Sequence, residues 1–297
     1  MSRVETMDDQ REGVASFQAL LQLVKPGITR MVMVTMLCGA LAAPGAVTRP
    51  LVLLLAVLAT ALVVAGANAI NMVIERDTDA LMARTRSRPL PTGQVSADVA
   101  LGFGLSLSGV GLLLLFVCVN ALSALLAGLA FVSYVLVYTP LKRVTPWALH
   151  IGAIPGALPP VIGWVAVRGM IEAGAGLLFL ILFVWQLPHF IAIAVYRRSE
   201  YSNAGLRVIP VVKGLRRARR ELVGYTALLI LVSFLPSLTG TVGGLHAWLT
   251  AVAGAGFAAF VLRPIGWAGP EVWARRVFLA SMPYLVVVFG AAVVTAS

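Results

Sequence analysis

Long apolar runs, each closed by a short polar segment, dominate the chain. A bilayer core of about 30 Å needs about 20 residues of helix. The runs therefore predict membrane-spanning helices over 28–46, 51–74, 99–119, 121–140, 147–167, 171–193, 222–240, 245–262 and 274–296. Pro44, Pro159, Pro160, Pro236 and Pro283 fall in or near these spans, where neighbouring helices absorb a kink. Most of the 28 glycines lie inside them too, as close helix packing in lipid favours. The predicted fold class is all-α: a polytopic membrane protein with one nine-helix domain over 28–297. Residues 1–27 form a polar tail, and the two long polar connections are 75–98 and 197–221.

Composition agrees with this pattern. Of 297 residues, 60% are hydrophobic and only 12% charged, with a mean hydropathy of +0.94, which no water-soluble fold could hide. The formal charge of +11 raises nucleic acid as a partner, but the basic residues sit between apolar segments instead of forming a stripe interleaved with aromatics. Membrane topology accounts for them, and no nucleic-acid partner is expected. All but two of the 23 Lys and Arg fall on one side of the nine spans, the exceptions being Arg49 and Arg168. The positive-inside rule then puts the amino terminus in the cytoplasm and the carboxyl terminus outside. The first 27 residues mix Arg3, Glu5, Asp8, Asp9, Arg11 and Glu12, lack a signal-peptide pattern, and are read as a retained tail. Cys38 and Cys118 lie in apolar runs and read as small packing residues.

The segment after the second span carries the chemistry. Asn71, Glu75 and Asp79 are spaced i, i+4, i+8 at the end of an apolar helix, so all three share one face, and Asp77 points the other way. Charge this close to hydrocarbon is expensive and usually functional. A row of oxygen ligands suits a hard cation, and Mg²⁺ is commonly held by one or two carboxylates plus substrate phosphates. The alternative is a helix end whose acids pair with Arg76, Arg84 or Arg88. Alignment of the three beside basic residues favours the metal. Arg84 and Arg88, again four apart, offer guanidinium forks that match phosphate oxygens. Acids for a cation followed by Arg for an anion is what a metal-bridged diphosphate needs.

A second polar cluster closes the sixth span. Glu200 is one acid among Arg, open equally to surface pairing and to function. Beyond it Arg207, Lys213, Arg216, Arg217, Arg219 and Arg220 make a basic stretch suited to anionic lipid, with Lys213 placed to reach a phosphate. His189, two turns before the end of an apolar span, is either hydrogen-bonded inside the bundle or open to a cavity as ligand or proton carrier. His150 and His246 lie at span edges. Lys25-Pro26 before the first span is echoed by Lys142 to Pro146 before the fifth, a pattern that internal duplication and chance explain equally well.

These residues match a known family. Asn71-x-x-x-Glu75-x-x-x-Asp79 followed by Met82-x-Arg84-Thr85-x-x-Arg88-Pro89-Leu90 resembles the first signature of the UbiA-type intramembrane prenyltransferases, which have nine helices around a central cavity. Further cues resemble the heme-farnesylating branch: Glu-Arg-Asp-x-Asp at 75–79, Tyr138-Thr139-x-Leu141-Lys142-Arg143-x-Thr145-Pro146, Gly156 to Trp164 with its paired prolines, and Trp185-Gln186-x-Pro188-His189-Phe190. The resemblance implies a bacterial inner-membrane enzyme that joins farnesyl diphosphate to heme b, giving heme O. It implies Asn71, Glu75 and Asp79 as catalytic residues holding Mg²⁺, and Arg84, Arg88, Lys142 and Lys213 as diphosphate contacts. His189 and Trp185 would be heme contacts, and proteins of heme A synthesis or oxidase assembly would be partners. In the second signature Ser199 stands where an Asp is common, leaving Glu200 as its main carboxylate. Two other classes compete. A relative acting on an aromatic quinone precursor or chlorophyllide would share the first signature, and a transporter would share the spans but not aligned acids followed by paired Arg.

Overall fold

The computed structural model describes residues 16–263 and 269–296. Most of the expected tail, residues 1–15, and the 264–268 part of the connection after the eighth span lie outside the described residues. Twelve helices follow one another: α1 Phe17–Leu23, α2 Pro26–Leu41, α3 Pro50–Ala80, α4 Ala97–Cys118, α5 Ala121–Leu141, α6 Ala148–Arg168, α7 Ala173–Tyr196, α8 Arg198–Asn203, α9 Ile209–Val212, α10 Gly214–Leu238, α11 Gly244–Val261 and α12 Gly269–Thr295. Among the described residues the sole β pairing is an isolated bridge between Val242 and Ala296. Eight helices among the described residues are long and apolar enough to cross a bilayer, and α1 with α2, bent by 51°, brings the number to nine when the pair is taken as one span. Exposed Leu51, Leu113, Phe116, Leu231 and Trp248 present the outer faces that lipid covers.

Helix starts and stops follow local chemistry. Ser96 and Asn120 cap α4 and α5 by accepting from Val99 N (3.3 Å) and Ser123 N (2.8 Å). Pro50 opens α3 at a position where its missing N–H costs nothing. Gly169, at φ 75°, closes α6 in the left-handed conformation that glycine adopts freely. Several expected boundaries shift: α2 stops at Leu41, short of the expected 46, and α3 runs on to Ala80 through the start of the connection expected over 75–98. Of the expected tail, residues 17–23 are helical, with Ala19 and Leu23 buried beside Met72 of α3. The 197–221 stretch, expected as a loop, is largely helical: α8 and α9 lie within it, and α10 begins at Gly214. The basic residues of that first part of α10 continue the helix past the apolar core, and Arg217 pairs with Glu221 one turn on at 2.7 Å.

α6 and α7 are the most enclosed spans. α2 packs on α6, α3 on α4, and α12 on both α7 and α11. The α2–α6 contact depends on two glycines. A Cβ on Gly39 would fall on the Pro160 backbone, and one on Gly163 would fall on the Met36 carbonyl. α3 has 31 residues and is about 46 Å long, well over the bilayer core. Its last three turns lie at the end of the bundle where the basic connections gather.

Candidate active site

Those last turns bury the expected stripe. Asn71, Glu75 and Asp79 are 1%, 5% and 1% exposed, whereas Asp77 points outward and pairs with the adjacent Arg76. Each member of the stripe faces a cation from elsewhere in the chain. Lys25 Nζ donates to Asn71 Oδ1 at 2.5 Å, Lys142 pairs with Glu75, and Arg88 Nη1 donates to Asp79 Oδ2 at 2.6 Å. Asn71 Nδ2 also donates to Thr139 Oγ1 (3.1 Å), whose hydroxyl donates in turn to Tyr134 O (2.8 Å). That last bond lies in a π-helical stretch of α5, Ser133–Tyr138, the sort of bulge that recurs at functional sites. It turns Tyr134 and Tyr138 toward the stripe. Lys25 is the one non-glycine residue with positive φ (46°) among the described residues, a strained conformation that is retained where the surroundings impose it.

These groups line one cavity of about 450 Å³, together with Arg84, Arg197, Tyr201 and Arg207 and the apolar Leu149, Phe190, Ile193, Ala194 and Phe278. Its walls come from α2, α3, α5, α6, α7 and α12, with the α3–α4 and α7–α9 connections across its mouth. Cations outnumber acids. Burial, with Lys25 and Arg143 close by, pulls the Lys142 ammonium down to about 7, opposed by its ion pair with Glu75. An anion in the cavity would relieve that repulsion.

Sequence reasoning found Asn71, Glu75, Asp79, Arg84, Arg88 and Lys142, and the structure brings all six together. It missed Lys25, Tyr134, Tyr138, Arg197 and Arg207. The Lys25-Pro26 echo of Lys142 to Pro146 was the available signal, since the two lysines meet adjacent members of the stripe. Lys213 does not line the cavity; its ammonium lies over the Trp147 ring at 5.4 Å. Glu200 is also outside the lining, with Oε1 accepting from Arg197 Nη1 at 2.6 Å and Oε2 buried without a partner.

His189 and Trp185 sit one layer behind the cavity wall, next to Phe190 and Phe278, which line it. The His189 ring stacks on Trp185 at 4.4 Å and lies 4.9 Å from Phe278. Ser281 of α12 anchors both residues: its carbonyl accepts from Trp185 Nε1, and its Oγ contacts His189 Nδ1, each at 2.7 Å. The only proton of the Ser281 hydroxyl goes to Phe278 O. With that proton on Phe278 O, Nδ1 of His189 would carry its own proton and Nε2 would keep the lone pair.

The stripe also fits a metal. Glu75 Oε1 is buried and has no hydrogen-bond donor of proper geometry, only the ion pair with Lys142. Among the described residues no three His, Cys, Asp or Glu side chains converge as a closed metal cage. Two carboxylates and an amide oxygen on one face, open to a basic cavity, instead match a cation whose remaining ligands come from substrate phosphate.

Fold and cavity together describe an integral membrane protein whose helix bundle ends in a basic cavity suited to an anionic, diphosphate-type ligand. The chain belongs to the UbiA prenyltransferase family, whose model matches residues 32–282. It is 49% identical over 260 residues to a protoheme IX farnesyltransferase of Sorangium cellulosum, covering 88% of this chain and 93% of that protein. Among solved structures, digeranylgeranylglyceryl phosphate synthase superposes with a TM-score of 0.76 at 19% identity, covering 94% of this chain and 97% of that one. A UbiA homolog from Archaeoglobus fulgidus, bound to GPP and Mg²⁺, superposes with a TM-score of 0.64 at 19% identity, covering 92% and 99%.

Proposed function

We propose that this chain transfers the farnesyl group of farnesyl diphosphate to a vinyl group of heme b, giving heme O and diphosphate, at the cytoplasmic face of a bacterial inner membrane. The observation that carries the reading is the aligned Asn71, Glu75 and Asp79 face opening on a cavity rich in Lys and Arg. The name of the Sorangium relative supports the choice of donor and acceptor.

In this reading Asn71, Glu75 and Asp79 hold Mg²⁺, which when bound supplies two positive charges against the donor's phosphate oxygens. Arg84, Arg88 and Lys142 grip the same diphosphate and stabilise the charge that collects on it as the allylic carbon–oxygen bond breaks, both electrons leaving with the diphosphate. Tyr134 and Tyr138 present aromatic rings beside the allylic cation, whose charge ring faces attract. Phe190, Ile193 and Phe278 keep bulk water away from it. The vinyl π electrons of heme form the new carbon–carbon bond, water adds at the adjacent carbon, and a proton is released. His189 lies one layer behind Phe190 and Phe278 and would meet the heme only where those side chains move aside for it.

The test is direct. Purified protein supplied with Mg²⁺, heme b and farnesyl diphosphate is expected to yield heme O, identified by chromatography and mass. Diphosphate release with 4-hydroxybenzoate but not with heme would move the protein to another acceptor class.

A further inference from the structure

The cavity holds more positive charge than a prenyl diphosphate can use. Among the described residues its lining carries Lys25, Arg84, Arg88, Lys142, Arg197 and Arg207 against Glu75 and Asp79, and Arg197 is also engaged by Glu200. With the three acids counted, the formal excess is three positive charges. A diphosphate ester brings about three negative charges at neutral pH, and one bound Mg²⁺ leaves about one. Positive charge then remains beyond what the donor and its metal neutralise, and part of it lies at the mouth of the cavity.

The cations also fall on different walls. Arg84 and Arg88 flank the stripe on the α3–α4 connection. Arg197 and Arg207 come from a different connection, between the end of α7 and the start of α9. Arg207 makes no ion pair or hydrogen bond among the described residues, and no acid of the stripe is turned to it. α7 links this wall to His189. Eight residues separate His189 from Arg197, about 12 Å along the helix, with Phe190, Ile193 and Ala194 lining the cavity between them. A flat apolar ring lying along that stretch, against Phe190 and Ile193, would put acidic substituents at the watery mouth within reach of the two arginines.

We propose that Arg207, seconded by Arg197, forms a carboxylate-binding subsite that takes the two propionates of the acceptor and orients the porphyrin with its propionate edge toward the cytoplasmic mouth. The subsite is separate from the diphosphate grip of Arg84, Arg88 and Lys142. This inference rests on heme being the acceptor, as proposed above.

The experiment compares heme b with its dimethyl ester, which keeps the ring and vinyl groups but lacks the two charges. Arg207 is exposed, so Arg207→Gln is expected to fold. It should raise KM for heme b about tenfold, the loss of one charge-assisted bidentate contact. KM for the dimethyl ester and KM for farnesyl diphosphate should stay within about twofold of wild type, and Arg207→Lys should recover part of the heme b affinity. Titration of heme b into donor-free protein, followed by absorbance, should show the same loss. Equal loss for heme b and its ester would overturn the subsite, as would a rise confined to the KM of farnesyl diphosphate. Should wild-type protein farnesylate neither heme b nor its ester, the acceptor assignment itself fails, and that result is distinct because it appears before any variant is made.

Discussion

The pair between Asp79 and Arg88 separates a structural role from a catalytic one. Asp79 is 1% exposed and accepts from Arg88 at 2.6 Å, while the Arg88 side chain keeps 21% of its surface exposed. Removing either partner leaves the other charged, but the costs differ because the two charges are not equally buried. Arg88→Gln strands a carboxylate with almost no access to water, a loss of about 3 kcal/mol, the lower end for a broken buried pair. Asp79→Asn strands a guanidinium that can still reach water, at about 1 kcal/mol. At about 2 °C per kcal/mol for a chain of this size, Tm in detergent should fall by about 6 °C and 2 °C respectively. The double variant removes both charges and should lie close to Asp79→Asn. Turnover should behave otherwise. Loss of a metal-holding carboxylate or of an Arg on the departing diphosphate costs about 10²-fold or more in kcat, and restoring neutrality in the double variant returns none of it. Heme O formation and thermal unfolding are measured on the same preparations. Recovery of turnover in the double variant, or wild-type turnover in Asp79→Asn, would mean that Asp79 serves only to hold Arg88.

Several further outcomes test other parts of the reading. Lys142→Ala should raise KM for farnesyl diphosphate by about tenfold, whereas Lys213→Ala should leave it within about twofold, because Lys213 lies over Trp147 outside the cavity. Chelation of divalent cations should abolish heme O formation, and added Mg²⁺ should restore it; full activity in chelator would remove the metal from the stripe. Ser281→Ala removes the hydroxyl that meets Nδ1 of His189, so the absorbance of bound heme b should shift while protein Tm changes by only a few degrees; an unaltered spectrum would confine His189 to packing. Gly163→Ala forces a methyl group onto the Met36 carbonyl and should lower stability by about 1–3 kcal/mol, read as a drop in Tm of several degrees.

How much could be read from the chain alone differs between local and long-range features. Hydrophobic length set the spans, because a helix in lipid must satisfy its own backbone and needs about 20 residues to cross. Helical periodicity put Asn71, Glu75 and Asp79 on one face, because the relation among residues four apart is fixed within a single helix. The same spacing of four picked out Arg84 and Arg88, family resemblance added Lys142, and the cavity contains all six. Lys25 escaped notice as a site residue because its contact with Asn71 spans 46 residues and depends on a strained turn ahead of α2. Arg197 and Arg207 looked like ordinary membrane-edge charges; only the fold of the α7–α9 connection brings them over the mouth. Lys213 shows the reverse case, a well-placed sequence position that the start of α10 carries away from the cavity.

What the sequence determined by itself, then, is everything governed by one helix at a time: how many crossings there are, which end is basic, and which face of α3 bears oxygen ligands. The tertiary structure decided which faces meet. In a bilayer neighbouring helices have no hydrophobic contrast with the lipid to sort them, so their contacts are chosen by small residues such as Gly39 and Gly163 and by single polar bridges such as Ser281 to His189. Such contacts carry no period along the chain. The lysines on the stripe, the second pair of arginines and the surroundings of His189 are consequences of that packing, and they exist only once the helices have been brought together.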